Sequence, residues 1–407
     1  MLKLATSSAS FVREHLTRSE AKLPNESKMD HDFASLSLEQ KIGQLLYIGL
    51  PGPELDRDAR ALIEYVQPGG IIIFGRNVVS PEQLRSLLDQ IREMLPVEPL
   101  FGIDQEGGLV DRLRKIATPM PPARVIRQKG DLAGARTLGR VTGEMLRLLG
   151  FNMNFAPVLS IMTEERDVLA NGLYSRSFGR SPGEVLGYAM TYLRGLQGTG
   201  CLGCVKHFPG LGAGEVDSHE EMPVIPLSHD DLIAHDLAPY IELFTREDRM
   251  VHAVMVGHGC YPNISVRQGV VSGPLIPASI NPEIVDGLLR TELGFNELVV
   301  TDDLEMGAVA KYYEIEDAAV RAINAGEDML LICARPDLIK RGRDALLQAV
   351  HEGRISEERL AESLRRIAEF KARVQPPLPF DLERFRQLSE EIAALNRRLD
   401  YTYGGKI

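Results

Sequence analysis

The stretch Cys201–Pro223, CLGCVKHFPGLGAGEVDSHEEMP, brings together side chains of the types that general acid–base chemistry uses. It begins as an apolar run, becomes polar at Lys206 and His207, and then enters a loop rich in glycine and proline. The loop carries a carboxylate and an imidazole, Asp217 and His219, two positions apart. The pattern predicts a strand that delivers these groups to one end of a sheet.

Further ionisable groups follow the ends of other apolar segments. LFGID ends in Asp104, and ELVVTDD ends in Asp302 and Asp303. Arg176 lies in SRSFG between two predicted strands, and His258 follows another strand, where it is interpreted as a hydrogen-bonded wall residue outside the catalytic set. In a barrel of parallel strands all carboxyl ends meet at one rim, so these groups are predicted to converge there as an active site.

Each of these residues also has a structural interpretation. Asp303 is better explained as a helix N-cap, whereas Asp302 on its own is equally compatible with capping and with catalysis. The segment 217–219 could form only a turn with capping side chains, and Lys206 and Arg176 could form salt bridges on the rim. Convergence on one rim favours catalysis, because several independent structural causes would have to coincide.

Eight apolar segments of strand length alternate with segments of helical periodicity. Eight β/α alternations predict an α/β fold of the (β/α)8 TIM-like barrel type. No G-x-G-x-x-G motif follows an early strand, which argues against an open doubly wound sheet. The predicted strands span residues 45–50, 70–74, 100–104, 151–158, 201–208, 250–257, 297–302 and 328–333.

The chain is predicted to contain one catalytic domain with an extension at each end. Residues 1–35 are polar and form an N-terminal extension, residues 36–375 form the barrel, and residues 376–407 form a linker and an amphipathic helix. Apolar residues of that helix recur at spacings of three and four, which favours packing on its own barrel over a coiled coil of about two heptads. A monomer or a weak dimer is expected.

The composition argues against several classes of partner. A formal net charge of −11 disfavours a nucleic-acid partner. No apolar segment reaches the roughly 18 residues of a membrane helix, and the first residues lack the apolar core of a signal peptide, so no membrane partner and a cytoplasmic location are expected. Cys201 and Cys204 have redox or zinc spacing, but they lie in an apolar run without a second such pair, which favours a structural role.

A metal site at the rim could be built from imidazoles and a carboxylate. The candidate ligands are His207, His219, His258 and Asp302. Metal-binding barrels usually show closely paired ligands such as H-x-H, and this sequence contains no such pair. Neither a metal nor a cofactor is therefore predicted.

The chain resembles glycoside hydrolase family 3, in the branch of the β-N-acetylglucosaminidases. The most specific match is KHFPGLG followed by DSHEEMP within residues 206–223. This combination separates the branch from the β-glucosidases of the family, whose acid/base lies in a large second domain for which this chain has no room. The other matches are GGIIIFGRN (69–77), GIDQEGGLVDRL (102–113), NFAPVL (154–159), SRSFGRSP (175–182), LGFNELVVTDDLEMGAV (293–309) and AGEDMLLI (325–332).

The resemblance implies a role for each matching residue. Asp302 matches the nucleophile, His219 the general acid/base, and Asp217 the partner that orients and charges the histidine. The implied reaction is retaining hydrolysis of terminal β-linked N-acetylglucosamine, with peptidoglycan fragments and cell-wall recycling as the expected context. The residues that match those holding the sugar hydroxyls are Asp104, Arg112, Arg176, Lys206 and His207.

The sequence departs from the family pattern in three places. Leu211 stands where the family usually has His, Ala213-Gly214 where it has Asp-Thr, and Ser160 where it has Asp after NFAPVL. Because none of these is the nucleophile or the acid/base, they affect substrate preference and rate more than reaction class. The segment Ile264–Pro277 is also longer than usual, which predicts a reshaped rim.

Two other functions stay open. The departures in the loop are compatible with a family member that has lost efficient catalysis and serves as a sugar-binding or regulatory protein. A histidine acid/base that has given up its proton is neutral and does not repel an anion as a carboxylate would. Phosphate could then replace water as the acceptor, and the enzyme would be a phosphorylase.

Overall fold

The computed structural model describes residues 33–264 and 275–404. Residues 1–32 of the predicted N-terminal extension and residues 265–274 of the segment Ile264–Pro277 lie outside the described residues. Within the described ranges, nine strand segments form one parallel sheet and two form a small antiparallel hairpin. The strands are β1 Leu46–Gly49, β2 Gly70–Ile73, β3 Leu100–Ile103, β4 Gln105–Gly107, β5 Val110–Asp111, β6 Met153–Asn154, β7 Leu202–Gly203, β8 Val205–Phe208, β9 Ala253–Val256, β10 Leu298–Asp303 and β11 Met329–Ile332.

The parallel sheet closes into a ring. Each ring strand pairs with the next one along the chain, and β1 pairs with β11 to complete the circle. The segments β7 and β8 are two halves of one strand that only Cys204 separates, because β7 pairs with β6 while β8 pairs with β9. The structure confirms the predicted (β/α)8 barrel, and each of the eight predicted segments overlaps one ring strand.

Helices follow the strands and cover the outside of the ring. Ser80 caps one of them by accepting the N–H of Gln83 at 3.1 Å, with Pro81 in the first turn, as the sequence predicts. A helix with π-type hydrogen bonding spans Glu283–Glu292. The α-helices are α1 Leu38–Gln44, α2 Arg57–Val66, α3 Pro81–Met94, α4 Ala123–Gln128, α5 Leu132–Leu149, α6 Pro182–Gln197, α7 His229–Ala234, α8 Ala238–Thr245, α9 Gly307–Ala310, α10 Ile315–Ala325, α11 Pro336–His351, α12 Glu357–Lys371 and α13 Leu382–Leu399.

Two elements differ from their predictions. Residues 230–244 are predicted as one helix, but α7 ends before α8 begins. The break turns Asp236 inward, where two N–H groups of Arg166 donate to its fully buried carboxylate at 2.8 and 3.0 Å. The strand predicted over residues 151–158 is shortened to β6, whose regular ladder stops before Pro157, a residue without an N–H to donate.

The C-terminal helix α13 packs on the outside of its own barrel, against α5. This is the arrangement that its apolar periodicity favours over a coiled coil. Burial of five apolar side chains from one helix is the main reason for it to dock there. The buried residues are Phe385, Leu388, Ile392, Leu395 and Leu399.

Cys201 and Cys204 contribute free thiols to the barrel core. Burial raises the pKa of both thiols far above the usual range, so neither forms a reactive thiolate near neutral pH. Their structural interpretation is therefore confirmed. Across residues 33–264 and 275–404, no helix combines the length and apolar character that crossing a membrane requires.

Candidate active site

Three strands bring ionisable side chains to the carboxyl rim of the barrel. Asp104 directly follows β3, Lys206 and His207 lie in β8, and Asp302 lies in β10. Because parallel strands end at the same rim, residues far apart in sequence meet there. Lys206 Nζ lies 2.6 Å from Asp104 Oδ1, although 102 positions separate the two residues.

The β4–β5 hairpin adds a carboxylate, Glu106, at the centre of the cluster. Its oxygens accept from Nε and Nη2 of Arg176 at 2.8 and 2.9 Å, and one of them lies 2.6 Å from Lys206 Nζ. The side chains of Glu106 and Lys206 are only 6% and 2% exposed. Burial opposes charge on all three groups. The opposite charges nevertheless hold the pKa of Glu106 far below its usual range, and those of Arg176 and Lys206 above theirs.

Asp104 and Arg112 form the more open part of the cluster. Oδ2 of Asp104 lies 3.7 Å from Nη2 of Arg112, whose side chain is 29% exposed. The Arg112 guanidinium also lies 5.6 Å from the centre of the Phe74 ring. The structure thus brings together four of the predicted sugar-binding residues. Lys206 contacts both Asp104 and Glu106, and Arg176 joins the group through Glu106.

His207, the fifth predicted sugar-binding residue, lies between this cluster and Asp302. Its Nε2 is 3.4 Å from Nη2 of Arg176 and 3.7 Å from Oδ2 of Asp302. Burial, together with the charges of Arg176 and Lys206, lowers the pKa of His207 to about 3. The imidazole is therefore neutral near pH 7, so its Nε2 can accept a hydrogen bond from Arg176.

Asp302 is a fixed, ionised carboxylate. Its Oδ1 accepts the N–H of Asp303 at 2.8 Å, and its side chain is 17% exposed. Burial acts to raise the pKa of Asp302, but His207, His258, the Asp303 N–H and Lys206 outweigh it and lower that pKa below its usual value. A rigidly placed carboxylate that stays ionised is suited to nucleophilic attack.

His258 and Asp303 lie behind Asp302. His258 Nε2 donates to the carbonyl oxygen of Asp303 at 2.9 Å, and its Nδ1 is 2.7 Å from Ser279 Oγ, which agrees with the predicted wall role. The prediction that Asp303 caps a helix is wrong. Its carboxylate accepts the N–H of Glu305 at 3.1 Å within a turn, and α9 begins only after that turn. Burial raises the pKa of Asp303 to about 7.

Asp217 and His219 form a hydrogen-bonded pair on the Gly-rich loop. Oδ1 of Asp217 lies 2.7 Å from Nδ1 of His219 and also accepts the backbone N–H of His219 at 2.9 Å. Because a carboxylate only accepts, Nδ1 carries the proton of this bond, and Nε2 remains for a ligand. The His219 side chain is 65% exposed. Gly172, with φ of 71°, approaches so closely that a Cβ there would lie 2.8 Å from Oδ2 of Asp217.

Two of the departures from the family pattern contact each other at the base of this loop. The backbone N–H of Leu211 donates to Oγ of Ser160 at 3.3 Å. The Leu211 side chain is buried in an apolar cluster, where it packs so closely on Gly257 and Gly259 that a Cβ at these positions would lie 3.1 and 2.8 Å from its methyl groups. An apolar anchor therefore replaces the polar residue that the family usually has here.

Sequence reasoning missed Asn171 and the central role of Glu106. Asn171 is buried and donates from Nδ2 to the carbonyl oxygens of Gly212 and Gly214 at 3.1 and 3.0 Å, so it fastens the base of the loop. The position of Glu106, two residues after Asp104 on the same rim, was a usable signal. Asn171 lies in an irregular stretch that carries no comparable signal.

The sequence matches the family model described as the glycosyl hydrolase family 3 N terminal domain over residues 37–370. A β-hexosaminidase from Nitrosomonas eutropha is 31% identical over 360 residues, which cover 86% of this chain and 96% of that protein. A β-hexosaminidase from Methylococcus capsulatus is 33% identical over 291 residues, which cover 71% and 82%. The chain therefore belongs to glycosyl hydrolase family 3.

Solved structures agree with this membership. A family 3 β-N-acetylglucosaminidase from a Paenibacillus species superposes with a TM-score of 0.78 at 36% identity, covering 89% of this chain and 69% of that one. A family 3 glycosyl hydrolase from Mycobacterium smegmatis gives 0.74 at 33% identity, covering 85% and 99%. A β-glucoside phosphorylase, with a TM-score of 0.77 at 23% identity over 90% of this chain and 65% of its own, shows a shared fold alone. The expected class of enzyme, a glycosidase, is confirmed.

Proposed function

We propose that this chain is a retaining β-N-acetylglucosaminidase that removes terminal β-linked N-acetylglucosamine from peptidoglycan-derived fragments in the cytoplasm, as a monomer or weak dimer. One observation carries the catalytic part of the proposal. The loop with the exposed Asp217–His219 pair is bound to the chain just beyond the ionised Asp302, through a 3.0 Å hydrogen bond from the Gly307 N–H to the His219 carbonyl. A nucleophile and an acid/base are thereby held on adjoining segments of one rim.

In the first step Asp302 attacks the anomeric carbon while the bond to the leaving oxygen breaks, which gives a glycosyl-enzyme. Nε2 of the His219 imidazolium gives its proton to that oxygen, and Asp217 stabilises the imidazolium through Nδ1. In the second step the neutral Nε2 takes a proton from water. The water oxygen bonds to the anomeric carbon, and Asp302 leaves as a carboxylate.

Five polar residues hold the sugar hydroxyls in this proposal, and Glu106 holds the cations among them in place. Two of the three N–H groups of Lys206 are directed to Asp104 and Glu106, so one remains for a ligand. Charge-assisted bonds in such a water-poor cluster are stronger than bonds between neutral groups. The sugar-binding set is Asp104, Arg112, Arg176, Lys206 and His207.

Asp302→Ala tests the nucleophile. The variant should fold normally and lose essentially all turnover of a nitrophenyl N-acetylglucosaminide, because the two-step route needs a covalent intermediate. Retention of more than about a tenth of the wild-type kcat, a barrier change near 1.4 kcal/mol, would rule the assignment out. In His219→Ala the glycosyl-enzyme should accumulate and be visible by intact-protein mass spectrometry, because no base then activates water.

Product analysis distinguishes the two other candidate functions. Hydrolysis of a muropeptide mixture should release free N-acetylglucosamine at the same rate with and without inorganic phosphate. A sugar 1-phosphate as the main product would instead establish the phosphorylase. Tight sugar binding with negligible turnover of every aglycone would establish a binding or regulatory protein. The Leu211 side chain packs in a buried apolar cluster and so keeps the base of the loop folded. A folded loop base supports the proposal that the protein is an active enzyme.

A further inference from the structure

The part of the loop that carries Asp217 and His219 is folded as one compact turn. We call residues 215–222 the loop tip. The backbone N–H groups of Glu220 and Glu221 both donate to the carbonyl oxygen of Asp217 at 3.0 Å, which closes a single tight turn. A displacement of Glu221 therefore passes directly to Asp217 and to His219, two residues before it.

The loop tip rests on α9 and the residues directly after it. The N–H groups of Gly307 and Ala308 donate to the carbonyl oxygens of His219 and Ser218 at 3.0 and 3.2 Å. Beside them, Lys311 Nζ donates to one Glu221 oxygen at 2.9 Å and the Tyr312 hydroxyl donates to the other. We call this three-residue contact of Glu221, Lys311 and Tyr312 the latch.

We propose that Glu221 is a positioning residue, whose latch holds His219 at the distance from Asp302 that proton donation to the leaving group requires. The proposal rests on the proposed function of His219. A surface ion pair contributes little to global stability. Its effect here is on a loop whose base is fixed at Leu211 and Asn171 and whose tip is tied to α9 by two backbone hydrogen bonds and by a small apolar cluster of Met222 with Ala308. A small energy is then enough to change the fraction of molecules with the tip in place.

The latch keeps its charges throughout the pH range in which the enzyme can work. Hydrogen bonds from Lys311 and then Tyr312 lower the pKa of Glu221 to about 2, and the bond with Glu221 raises the pKa of Lys311. The latch therefore does not titrate near neutral pH, so loss of the latch should leave the shape of the pH profile unchanged. Salt, in contrast, should weaken it, because its side chains are about half exposed.

Glu221→Gln is the test variant, and Glu220→Gln is its matched control. Glu220 is the adjacent exposed carboxylate in the same turn, and no hydrogen bond from its side chain is found among the described residues. The rates to compare are kcat/KM for an N-acetylglucosaminide with a sugar aglycone and for the nitrophenyl glycoside. Amide hydrogen exchange of residues 215–222 reports the tip independently of activity.

Glu221→Gln should lower kcat/KM for the sugar aglycone by roughly fivefold, and should change the nitrophenyl rate less than twofold, because only the sugar needs a proton to leave. Exchange in the loop tip should become faster. Tyr312→Phe and Lys311→Met should act in the same direction, and neither should add to Glu221→Gln. High salt should slow the wild type towards the variant and leave the variant unchanged.

Several outcomes would overturn the latch. They are equal losses for both aglycones, an equal effect of Glu220→Gln, a rate increase in Glu221→Gln, or unchanged exchange of the loop tip. Each of these can occur while Asp302→Ala and His219→Ala still behave as catalytic variants, so failure of the latch does not remove the proposed function. Conversely, an active Asp302→Ala would refute the function without changing the exchange result.

Discussion

Glu106 sets the positions of the two cations that the site depends on. Its carboxylate receives two bonds from Arg176 and lies against the almost inaccessible ammonium of Lys206. A buried cation without its counter-ion is costly, and removal of Glu106 would leave Arg176 without its close carboxylate partner and Lys206 with Asp104 alone. Glu106 therefore acts through Arg176 and Lys206, by fixing where these two sugar-binding residues lie.

Glu106→Gln should therefore harm both folding and catalysis. Loss of the charge leaves Lys206 and Arg176 undercompensated, and we expect a loss of about 3 kcal/mol in the free energy of unfolding. We also expect at least a tenfold drop in kcat/KM, because the binding groups lose their alignment. Urea unfolding and steady-state kinetics measure the two effects. Glu164→Gln, at a rim carboxylate that is 83% exposed, is the control and should change neither quantity appreciably.

Asp217→Ala should separate tuning of the acid from bracing of the loop. The first step needs protonated His219, whose Nδ1 lies 2.7 Å from Oδ1 of Asp217. Without the carboxylate, the loss should be larger for a sugar aglycone, which needs a proton to leave, than for a nitrophenyl aglycone. Equal losses for both aglycones would show that Asp217 only braces the loop.

Residue types and spacing indicated the rim that carries the candidate site, and the resemblance to the family supplied the expected role of each residue. Asp302, Asp217 and His219 stand at strand and loop positions that chemistry commonly uses, and the structure places them on one rim. The sequence places Glu106 on the rim, but its contacts with Arg176 and Lys206 could not be derived, because a counter-ion is defined by distance in three dimensions. Asp303 was assigned to a helix cap, and the error arose because the turn after β10 is longer than the pattern suggests.

At the scale of elements, the loop after β8 combines a fixed base with a tip held by few contacts. Leu211 anchors the base in an apolar cluster, and Asn171 bonds the carbonyl oxygens of Gly212 and Gly214. Both anchors lie before the tip that carries the acid/base pair. This division explains how the loop can present an exposed imidazole without losing its place on the rim.

Asn171→Ala should loosen that base. Two buried carbonyl groups would lose their donor, which should cost about 1–3 kcal/mol in stability. Amide exchange should accelerate over residues 211–215, and kcat should fall as the Asp217–His219 pair loses its support. Asn263→Ala removes a single exposed bond to the Pro226 carbonyl and serves as the comparison. If the two variants behave alike, Asn171 is not an anchor of the loop.

The periodicity of apolar residues predicted the strands and helices better than it predicted the breaks within them. All eight ring strands follow from largely apolar runs, since strands buried on both faces are mostly apolar. The break between α7 and α8 has one local signal, Pro239 in the first turn of α8. The buried ion pair of Asp236 with Arg166, 70 positions away, is a contact that no local pattern encodes.

At the scale of the whole molecule, the two ends of the barrel use buried charge differently. The carboxyl rim holds the sugar-binding cluster. At the opposite end, Asp328 directly precedes β11 and receives bonds from three arginines and from the N–H of Val299. This second cluster joins two strands to two outer helices, so it stabilises the closure of the barrel. The arginines are Arg290, Arg359 and Arg366.

Glu327, next to this second cluster, is the exception. Its side chain is fully buried, and neither carboxyl oxygen has a hydrogen-bond partner among the described residues. Burial is the largest cause that raises its pKa well above the usual range; Asp328 adds to it, and Arg290 and Arg359 only partly oppose it. Native Glu327 therefore holds its proton at pH values where the unfolded chain has released it.

The sign of the resulting pH dependence follows from proton binding. Above about pH 4.3 the unfolded state loses the proton while the native state keeps it, so the native state binds more protons and its stability falls as the pH rises. Glu327→Gln removes this titration. It should make the protein more stable than the wild type at pH 7 and change stability little at pH 4. Urea unfolding at both pH values measures the difference, with exposed Glu247→Gln as the control. An equal change at both pH values would mean that packing, and not the proton, sets the contribution of Glu327.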